Sequence, residues 1–267
     1  MADQYQVVIA KHGTRRTVRS DVFLNYALYG EPDDPIGMDY FVWIARNADR
    51  TVVIDTGFSG AGGRKRGREI LVEVPELYRR LGVDPSGVEV VAITHAHYDH
   101  IGNLGVFPSA PIVLARSEYD FWTGPHAGRP LFHHSVEDDE LAGLRFLVDQ
   151  GRVELFRERR ELAPGIEIIE VGGHTPGQSV VTVPTSEGVV LLASDAIHYY
   201  EEYERAMPFT SVADLVGMYD SFETVRGMVQ RGEVQHIVSG HDPGTLQRFT
   251  PADGELTGLV ATIGAAA

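Results

Sequence analysis

Residues 94–100 read Thr-His-Ala-His-Tyr-Asp-His and directly follow the largely apolar run 88–93, Val-Glu-Val-Val-Ala-Ile. The chain has 11 histidines in 267 residues, so three within six positions is a marked local enrichment. A short apolar run before a turn is typical of a buried strand. Continuing that strand places His95 and His97 on one face. The segment therefore predicts a strand whose end presents nitrogen and oxygen ligands to a common point.

Three later segments repeat this order of an apolar strand followed by a polar residue. They are Glu-Ile-Ile-Glu-Val-Gly-Gly before His174, Gly-Val-Val-Leu-Leu-Ala-Ser before Asp195, and Val-Gln-His-Ile-Val-Ser-Gly before His241. Strand ends that meet at one edge of a fold give a rigid base for a site, with loops above it. A single loop seldom completes a metal's ligand shell. We therefore expect His174, Asp195 and His241 to supply the remaining ligands.

Composition narrows the chemistry of the site. The chain has no cysteine, which excludes disulfides, thiolate-bound metals and a Cys nucleophile, so His, Asp or Glu must hold any metal. The net charge of −15 disfavours nucleic acid and anionic membranes as partners. No apolar run approaches the ~18 residues of a membrane span, and the N-terminus lacks a secretory signal pattern. The sequence predicts a cytoplasmic protein.

The distribution of strand and helix patterns predicts an α+β fold of two packed sheets with helices outside, formed by residues 1–267 as a single domain. Strands are predicted at 5–10, 22–30, 40–47, 51–55, 88–93, 110–115, 151–156, 165–171, 178–184, 188–195 and 234–240. Helices are predicted at 68–81, 116–122, 136–150 and 211–231.

Three segments outside the ligand motif have two interpretations each. The glycine-rich, basic segment 59–69 predicts a mobile surface loop or a flap over the site. Residues 198–209 predict a lid with aromatic walls or a solvated amphipathic turn. His126, His133 and His134 are predicted as surface side chains, with a third metal site as the alternative.

The spacing of His95, His97, Asp99 and His100 resembles the His-x-His-x-Asp-His signature of the metallo-β-lactamase superfamily. The resemblance continues through residues 55–57 (Asp-Thr-Gly), 172–179, 191–195 and 239–242. It implies a four-layer αββα sandwich with the metal site at the rim of the two sheets. It also implies two divalent ions, with zinc expected, and a supporting role for Asp55 just outside the ligands. The ligand assignment that it implies is His95, His97 and His174 for the first ion, Asp99, His100 and His241 for the second, and Asp195 as the bridge between them.

Two divalent ions close together lower the pKa of a shared water and polarise the bond under attack, so the expected reaction is metal-assisted hydrolysis. The His-Tyr-Asp-His loop, the Gly-His-Thr-Pro-Gly-Gln-Ser turn and the short terminal Gly-His-Asp resemble N-acyl-homoserine lactonases. That resemblance implies opening of a lactone ring, with quorum-sensing signals as candidate substrates. The expected partner is thus a small lactone or ester, and a homodimer is one expected assembly.

The sequence departs from these lactonases three residues after the bridging aspartate. Many of them have a tyrosine there that contacts the lactone oxygen, whereas this chain has His198. A histidine can also donate a hydrogen bond to a developing oxyanion or relay a proton. The catalytic residues predicted are therefore Asp99, which is also a ligand, and His198, with Tyr199 and Tyr200 as alternatives for the oxygen contact.

Several other activities of the same fold remain as alternatives. One is hydrolysis of a thioester, as in glyoxalase II-like enzymes, or of an ordinary ester. Another is a mononuclear-iron sulfur dioxygenase, which uses only the first ion's ligands; the presence of Asp99, His100 and His241 argues against it. A nuclease is disfavoured by the excess of acidic residues in the chain. A non-catalytic binding module is disfavoured because the set of predicted metal ligands is complete. His97 also distinguishes the chain from the di-iron oxidoreductases, which have Glu at this position.

Overall fold

The computed structural model describes residues 3–265 of the chain. Within that range it forms fourteen strands. They are β1 Gln6–Val18, β2 Pro35–Arg46, β3 Thr51–Ile54, β4 Glu69–Ile70, β5 Val90–Ile93, β6 Ile112–Ala115, β7 Val153–Phe156, β8 Arg159–Ala163, β9 Ile166–Glu170, β10 Ser179–Thr185, β11 Gly188–Ser194, β12 His236–Ser239, β13 Thr250–Pro251 and β14 Val260–Ile263. The larger sheet has the order β13-β14-β1-β2-β3-β5-β6-β7, with β4 paired to β1, and the smaller sheet has the order β12-β11-β10-β9-β8.

The described residues also form nine helices. They are α1 Arg19–Val22, α2 Gly60–Lys65, α3 Val74–Arg80, α4 Tyr98–Ile101, α5 Arg116–Trp122, α6 Pro130–His133, α7 Asp138–Asp149, α8 Tyr200–Arg205 and α9 Leu215–Gln230, with single 3₁₀ turns at Tyr26–Tyr29, Leu104–Val106, Thr245–Arg248 and Gly254–Leu256. Among residues 3–265, no helix combines the length and the apolar character needed to cross a bilayer.

Alternation along β2 shows how the layers are held together. Phe41 and Trp43 pack between the sheets with Ile168 and Val181 of the smaller sheet. Val42, on the opposite face, packs in the cluster that includes α3 and α7. Because both faces of the strand are covered, its sequence is almost continuously apolar. The smaller sheet is covered in turn by α9. The result is the predicted four-layer αββα sandwich.

Strand direction determines where the site forms. Strands β3, β5, β6 and β7 run parallel, as do β11 and β12 in the other sheet. The carboxyl ends of parallel neighbours lie at one edge of a sheet. Asp55 follows β3, His95 follows β5, Asp195 follows β11 and His241 follows β12. These side chains therefore collect at one rim of the sandwich.

Several predicted strands and helices differ from those in the structure. The strand predicted at 22–30 is wrong: the segment contains the end of α1 and a 3₁₀ turn at Tyr26–Tyr29, which lies between left-handed residues Asn25 (φ 51°) and Gly30 (φ 66°). Its aromatic residues reflect burial rather than extension, since Phe23 and Tyr26 pack with Tyr199 and Phe209 in a separate cluster. Strands β4, β8, β13 and β14 were not predicted. The helix predicted at 68–81 begins only at Val74, with Pro75 in its first turn.

Candidate metal centre

The seven predicted ligand residues occupy two adjoining groups at the rim. In the first group, the ligand atoms of His95, His97, His174 and Asp195 all lie within 4.8 Å of one another. The same limit holds for the second group, formed by Asp99, His100 and His241. All seven residues are buried. We refer to His95, His97 and His174 as the first triad and to Asp99, His100 and His241 as the second triad.

Asp195 lies between the triads and directs one oxygen at each. Its Oδ2 atom is 3.4 Å from His174 Nε2 and 3.7 Å from His95 Nε2. Its Oδ1 atom is 3.3 Å from His100 Nε2 and 3.1 Å from His241 Nε2. A carboxylate in this position can bind two cations at once, through one oxygen each.

Hydrogen bonds at the far side of three histidine rings determine which nitrogen faces inward. The Nδ1 atoms of His174 and His241 each donate to a backbone carbonyl at 2.7 Å, of Ser211 and Asp39 respectively. His100 donates from Nδ1 to Asp55 Oδ2 at 2.7 Å. A neutral ring that donates from Nδ1 in this way presents an unprotonated Nε2 to the centre, as metal-bound histidines require.

The donor set fits divalent metal ions. Four buried ligand atoms, Nε2 of His95, His100 and His241 and Oδ1 of Asp195, have no hydrogen-bond partner within residues 3–265. Buried polar atoms are rarely left without a partner. Burial lowers the pKa of His95 and His97 well below the usual range and that of His174 to about 3, so these rings are neutral and able to bind a cation. Five imidazoles and two carboxylates converging in this way suit two borderline divalent ions.

Asp55 connects three strand ends beneath the second triad. Besides His100, it accepts hydrogen bonds from the Thr94 backbone at 2.8 Å and the Thr94 hydroxyl at 2.7 Å. That hydroxyl lies 2.8 Å from the Ser194 hydroxyl, next to Asp195. Asp55 and Ser194 both adopt left-handed backbone conformations, with φ of 58° and 46°. Non-glycine residues in this region store strain, which is concentrated at functional sites.

Glu118 supports the first triad and was not predicted. Its buried carboxylate accepts the backbone N–H of Ala96 at 2.9 Å, between the first two histidines, and that of Gly177 at 3.0 Å, in the His174 loop. Trp122 Nε1 donates to it at 2.7 Å. A Cβ atom on Gly177 would lie 2.4 Å from the Glu118 nitrogen, so only glycine allows this approach. Glu118 was missed because backbone N–H groups, which are two of its partners, leave no recognisable pattern in the sequence.

A cavity of about 190 Å³ opens above the two triads. Its lining includes His97, Asp99, His174 and Asp195 from the centre. Met38, Tyr40, Tyr98 and Phe209 provide apolar and aromatic walls, and Arg15 and Arg68 contribute positive charge. Segments 59–69 and 198–209 each reach the cavity through one residue, Arg68 and Phe209 respectively. Most of segment 59–69 is the helix α2 rather than a loop.

The predicted catalytic residues after Asp195 lie outside the cavity lining. His198 is fully buried, with Nε2 3.1 Å from Asp195 Oδ2, Nδ1 3.1 Å from Glu202 and its ring stacked on Phe209. Burial acts to lower the pKa of His198, but the carboxylates of Glu202 and Asp195 outweigh it and raise the pKa to about 9. Tyr199 and Tyr200 donate to the backbone carbonyls of Gly37 and Ile237 at 3.0 and 3.1 Å.

The three histidines that were predicted at the surface are not part of the metal centre. His126 and His134 are exposed, and His133 lies 2.9 Å from the exposed Asp138. Among the described residues, the two groups above are the only sets of His, Asp and Glu arranged to bind a metal.

Comparison with known proteins agrees with this architecture. Residues 36–244 match the family model of the metallo-beta-lactamase superfamily. The chain belongs to this superfamily. A Bacillus sp. N-acyl homoserine lactonase is 23% identical over 226 residues, which cover 79% of this chain and 84% of the relative.

Two solved structures have the same metallo-β-lactamase fold. One is a quorum-quenching N-acyl homoserine lactone lactonase, with a TM-score of 0.76 and 21% identity over 91% of this chain and 94% of that one. The other is AidC, described as a dizinc quorum-quenching lactonase, with a TM-score of 0.73 and 18% identity over 100% of this chain and 96% of that one.

Proposed function

We propose that this metallo-β-lactamase-fold protein is a dinuclear metal-dependent hydrolase that opens a lactone ring, an N-acyl-homoserine lactone or a similar ester. The observation that carries the proposal is the placement of Asp195, with one oxygen directed at each triad. The lactonase names of its relatives and structural neighbours support the substrate class.

The first triad would hold one ion and the second triad the other, with Asp195 shared between them. Zinc is the metal we propose, because it accepts mixed histidine and carboxylate ligands and the AidC neighbour is a dizinc enzyme. When bound, the ions supply an activated water and polarise the ester carbonyl.

The chain's own residues hold the ligands and exclude bulk water. Asp55 and the carbonyls of Asp39 and Ser211 keep the Nδ1 protons of His100, His241 and His174 directed away from the centre. Tyr40 and Phe209 give the ring an apolar surface to pack against.

Ring opening adds water to the carbonyl carbon, breaks the bond to the ring oxygen and delivers a proton to that oxygen, giving a hydroxy acid. Asp99 is a carboxylate of the centre that lines the cavity, so we assign it the transfer of this proton. His198 would act through Asp195, whose Oδ2 it holds at 3.1 Å.

The test combines metal analysis with a substrate panel. We expect metal-replete protein to contain two ions per chain and to hydrolyse N-hexanoyl-homoserine lactone faster than the thioester S-lactoylglutathione or the ester 4-nitrophenyl acetate. Faster thioester turnover would assign the chain to the thioesterases instead. A single iron with oxygen consumption would overturn the dinuclear mechanism.

A further inference from the structure

We infer that the substrate carries an anionic group, recognised by Arg15 and Arg68 in the cavity above the metal centre. This inference rests on the proposed function and specifies its substrate class. Both arginines are half-buried and both line the cavity. Neither forms an ion pair with any carboxylate among residues 3–265, although acidic residues outnumber basic ones by 38 to 23 in this chain.

The contrast with the neighbours of Arg68 shows that its lack of a carboxylate partner is a local exception. Its three cationic neighbours in the same segment each pair with a carboxylate: Arg64 with Glu73, Lys65 with Glu137 and Arg66 with Glu137. Arg68 instead donates from Nε to the Tyr98 hydroxyl at 2.9 Å and from Nη1 to the Arg66 carbonyl at 3.1 Å. Its Nη2 group has no hydrogen-bond partner among the described residues.

The backbone places the two arginines side by side. Strand β4 pairs with β1 through Gly13–Ile70 and Thr14–Glu69. Continuing that register by one residue brings Arg15 opposite Arg68. The Arg68 backbone N–H is anchored to the Gly63 carbonyl at 2.9 Å. Like charges directly opposite each other destabilise a pair of strands, so a bound anion would offset a cost that the free protein bears.

Arg15 likewise has donors for such an anion that are unpaired within the described part of the chain. Its Nε contacts the Met38 sulfur at 3.3 Å, and its two Nη groups have no hydrogen-bond partner within residues 3–265. Guanidinium groups bind carboxylate and phosphate through two parallel hydrogen bonds. A cavity of about 190 Å³ is smaller than most sites for drug-sized ligands, which favours a compact substrate. We therefore propose a small lactone or ester with a carboxylate or phosphate substituent.

One acidic side chain outside the centre also lines the cavity. Asp21 is exposed and accepts a hydrogen bond from the Thr17 hydroxyl at 2.9 Å. Water screens an exposed charge effectively. Its repulsion of an anion should therefore be weaker than the attraction by the two half-buried arginines.

The experiment compares two lactones of the same shape that differ by one charge, 5-oxotetrahydrofuran-2-carboxylate and its neutral carboxamide. We expect wild-type kcat/KM to favour the carboxylate by roughly 100-fold and Arg15→Gln or Arg68→Gln to reduce that ratio about tenfold each, as expected for charge-assisted hydrogen bonds. Arg68→Lys should retain part of the preference, and Asp21→Asn should raise it about twofold. Arg16→Gln is the matched control, because Arg16 is exposed and lies outside the cavity lining. The same lactone with a phosphate in place of the carboxylate shows, by its kcat/KM, which of the two anions the protein prefers.

The outcomes separate this inference from the proposed function. Lactone hydrolysis with a carboxylate-to-amide ratio near one would overturn the inference and leave the proposed function intact. If the metal-loaded protein hydrolyses no lactone, the proposed function fails. Calorimetric binding of the carboxylate probe then tests the arginines: weaker binding in both Gln variants, with Arg16→Gln unchanged, supports the anion site. Equal binding in all variants overturns it.

Discussion

The two triads of the metal centre are held by different parts of the molecule. In the second triad, the carboxylate of Asp55, at the end of β3, accepts a hydrogen bond from the His100 ring. The backbone carbonyl of Asp39, on β2, accepts one from the His241 ring. In the first triad, Glu118 connects the turn after β5 to the His174 loop through the N–H groups of Ala96 and Gly177. Asp195 lies between the triads and directs one oxygen at each. The two triads therefore share one rim but have largely different supports, so substitutions should disturb them unequally.

The largest effect should come from removing the element common to both triads. Asp195→Asn takes away the charge between the two ion positions, so we expect both ions to bind more weakly and kcat/KM to fall more than roughly 100-fold, beyond the 10–100-fold typical of residues outside the ligand shell. Metal content after dialysis and lactone turnover at saturating metal measure the two effects. Activity within a few-fold of wild type would show that the triads work without a shared bridge.

His198 should come next, because its Nε2 atom lies 3.1 Å from the Asp195 oxygen that faces the first triad. We expect His198→Ala to lower kcat about ten- to a hundredfold and to weaken retention of the first ion, as removal of a ligand-orienting partner does. Tyr199→Phe and Tyr200→Phe, whose hydroxyls contact backbone carbonyls, are the controls and should stay within about threefold of wild type, the loss of one neutral hydrogen bond.

The same variants separate two roles for His198. A loss of kcat with unchanged metal affinity would favour direct contact between His198 and the substrate oxygen. A large loss in one tyrosine variant, with His198→Ala unaffected, would transfer that role to the tyrosine.

Asp55→Asn should weaken the second ion more than the first, because Asp55 contacts the His100 ring directly and reaches His95 only through Thr94. An amide at this position is a poorer acceptor for the His100 Nδ1–H and for the two Thr94 donors, so we expect about a tenfold loss of affinity for one of the two ions. Stepwise metal titration distinguishes one weakened site from two. Asp149→Asn, an exposed change at the end of α7, should leave both affinities unchanged. Equal weakening of both ions would show that the triads share their support after all.

The smallest catalytic effect is expected for Glu118→Gln. The amide nitrogen would face a backbone N–H, either that of Ala96 or that of Gly177, and lose a buried hydrogen bond. We expect unfolding free energy to fall by about 1–3 kcal/mol, while kcat at saturating metal changes only a few-fold because the ligands themselves remain. Chemical denaturation and the titration of the first ion provide the readouts. If only the second ion bound more weakly, Glu118 would not be a support of the first triad.

The strand and turn patterns predicted the two packed sheets and pointed to the residues that meet at the rim. A strand that is covered on both faces, such as β2 or β5, appears in the sequence as a continuous run of apolar residues. A polar residue at the end of such a run is easily recognised. Strand direction then forces Asp55, His95, Asp195 and His241 to one rim. The same reasoning failed at residues 22–30, where burial of Phe23 and Tyr26 by distant residues imitated the composition of a strand.

The residues around the ligands became known from the three-dimensional contacts. Glu118 acts on backbone N–H groups, which every non-proline residue has and which no side-chain pattern reveals. Arg15 and Arg68 lie far apart in the chain and meet through the pairing of β1 with the two-residue strand β4. His198 carries a strong local signal after Asp195, but its burial between Asp195 and Glu202 depends on how α8 packs. Ligands are fixed by residue type at strand ends, whereas the surrounding cavity depends on contacts between segments that are distant in sequence.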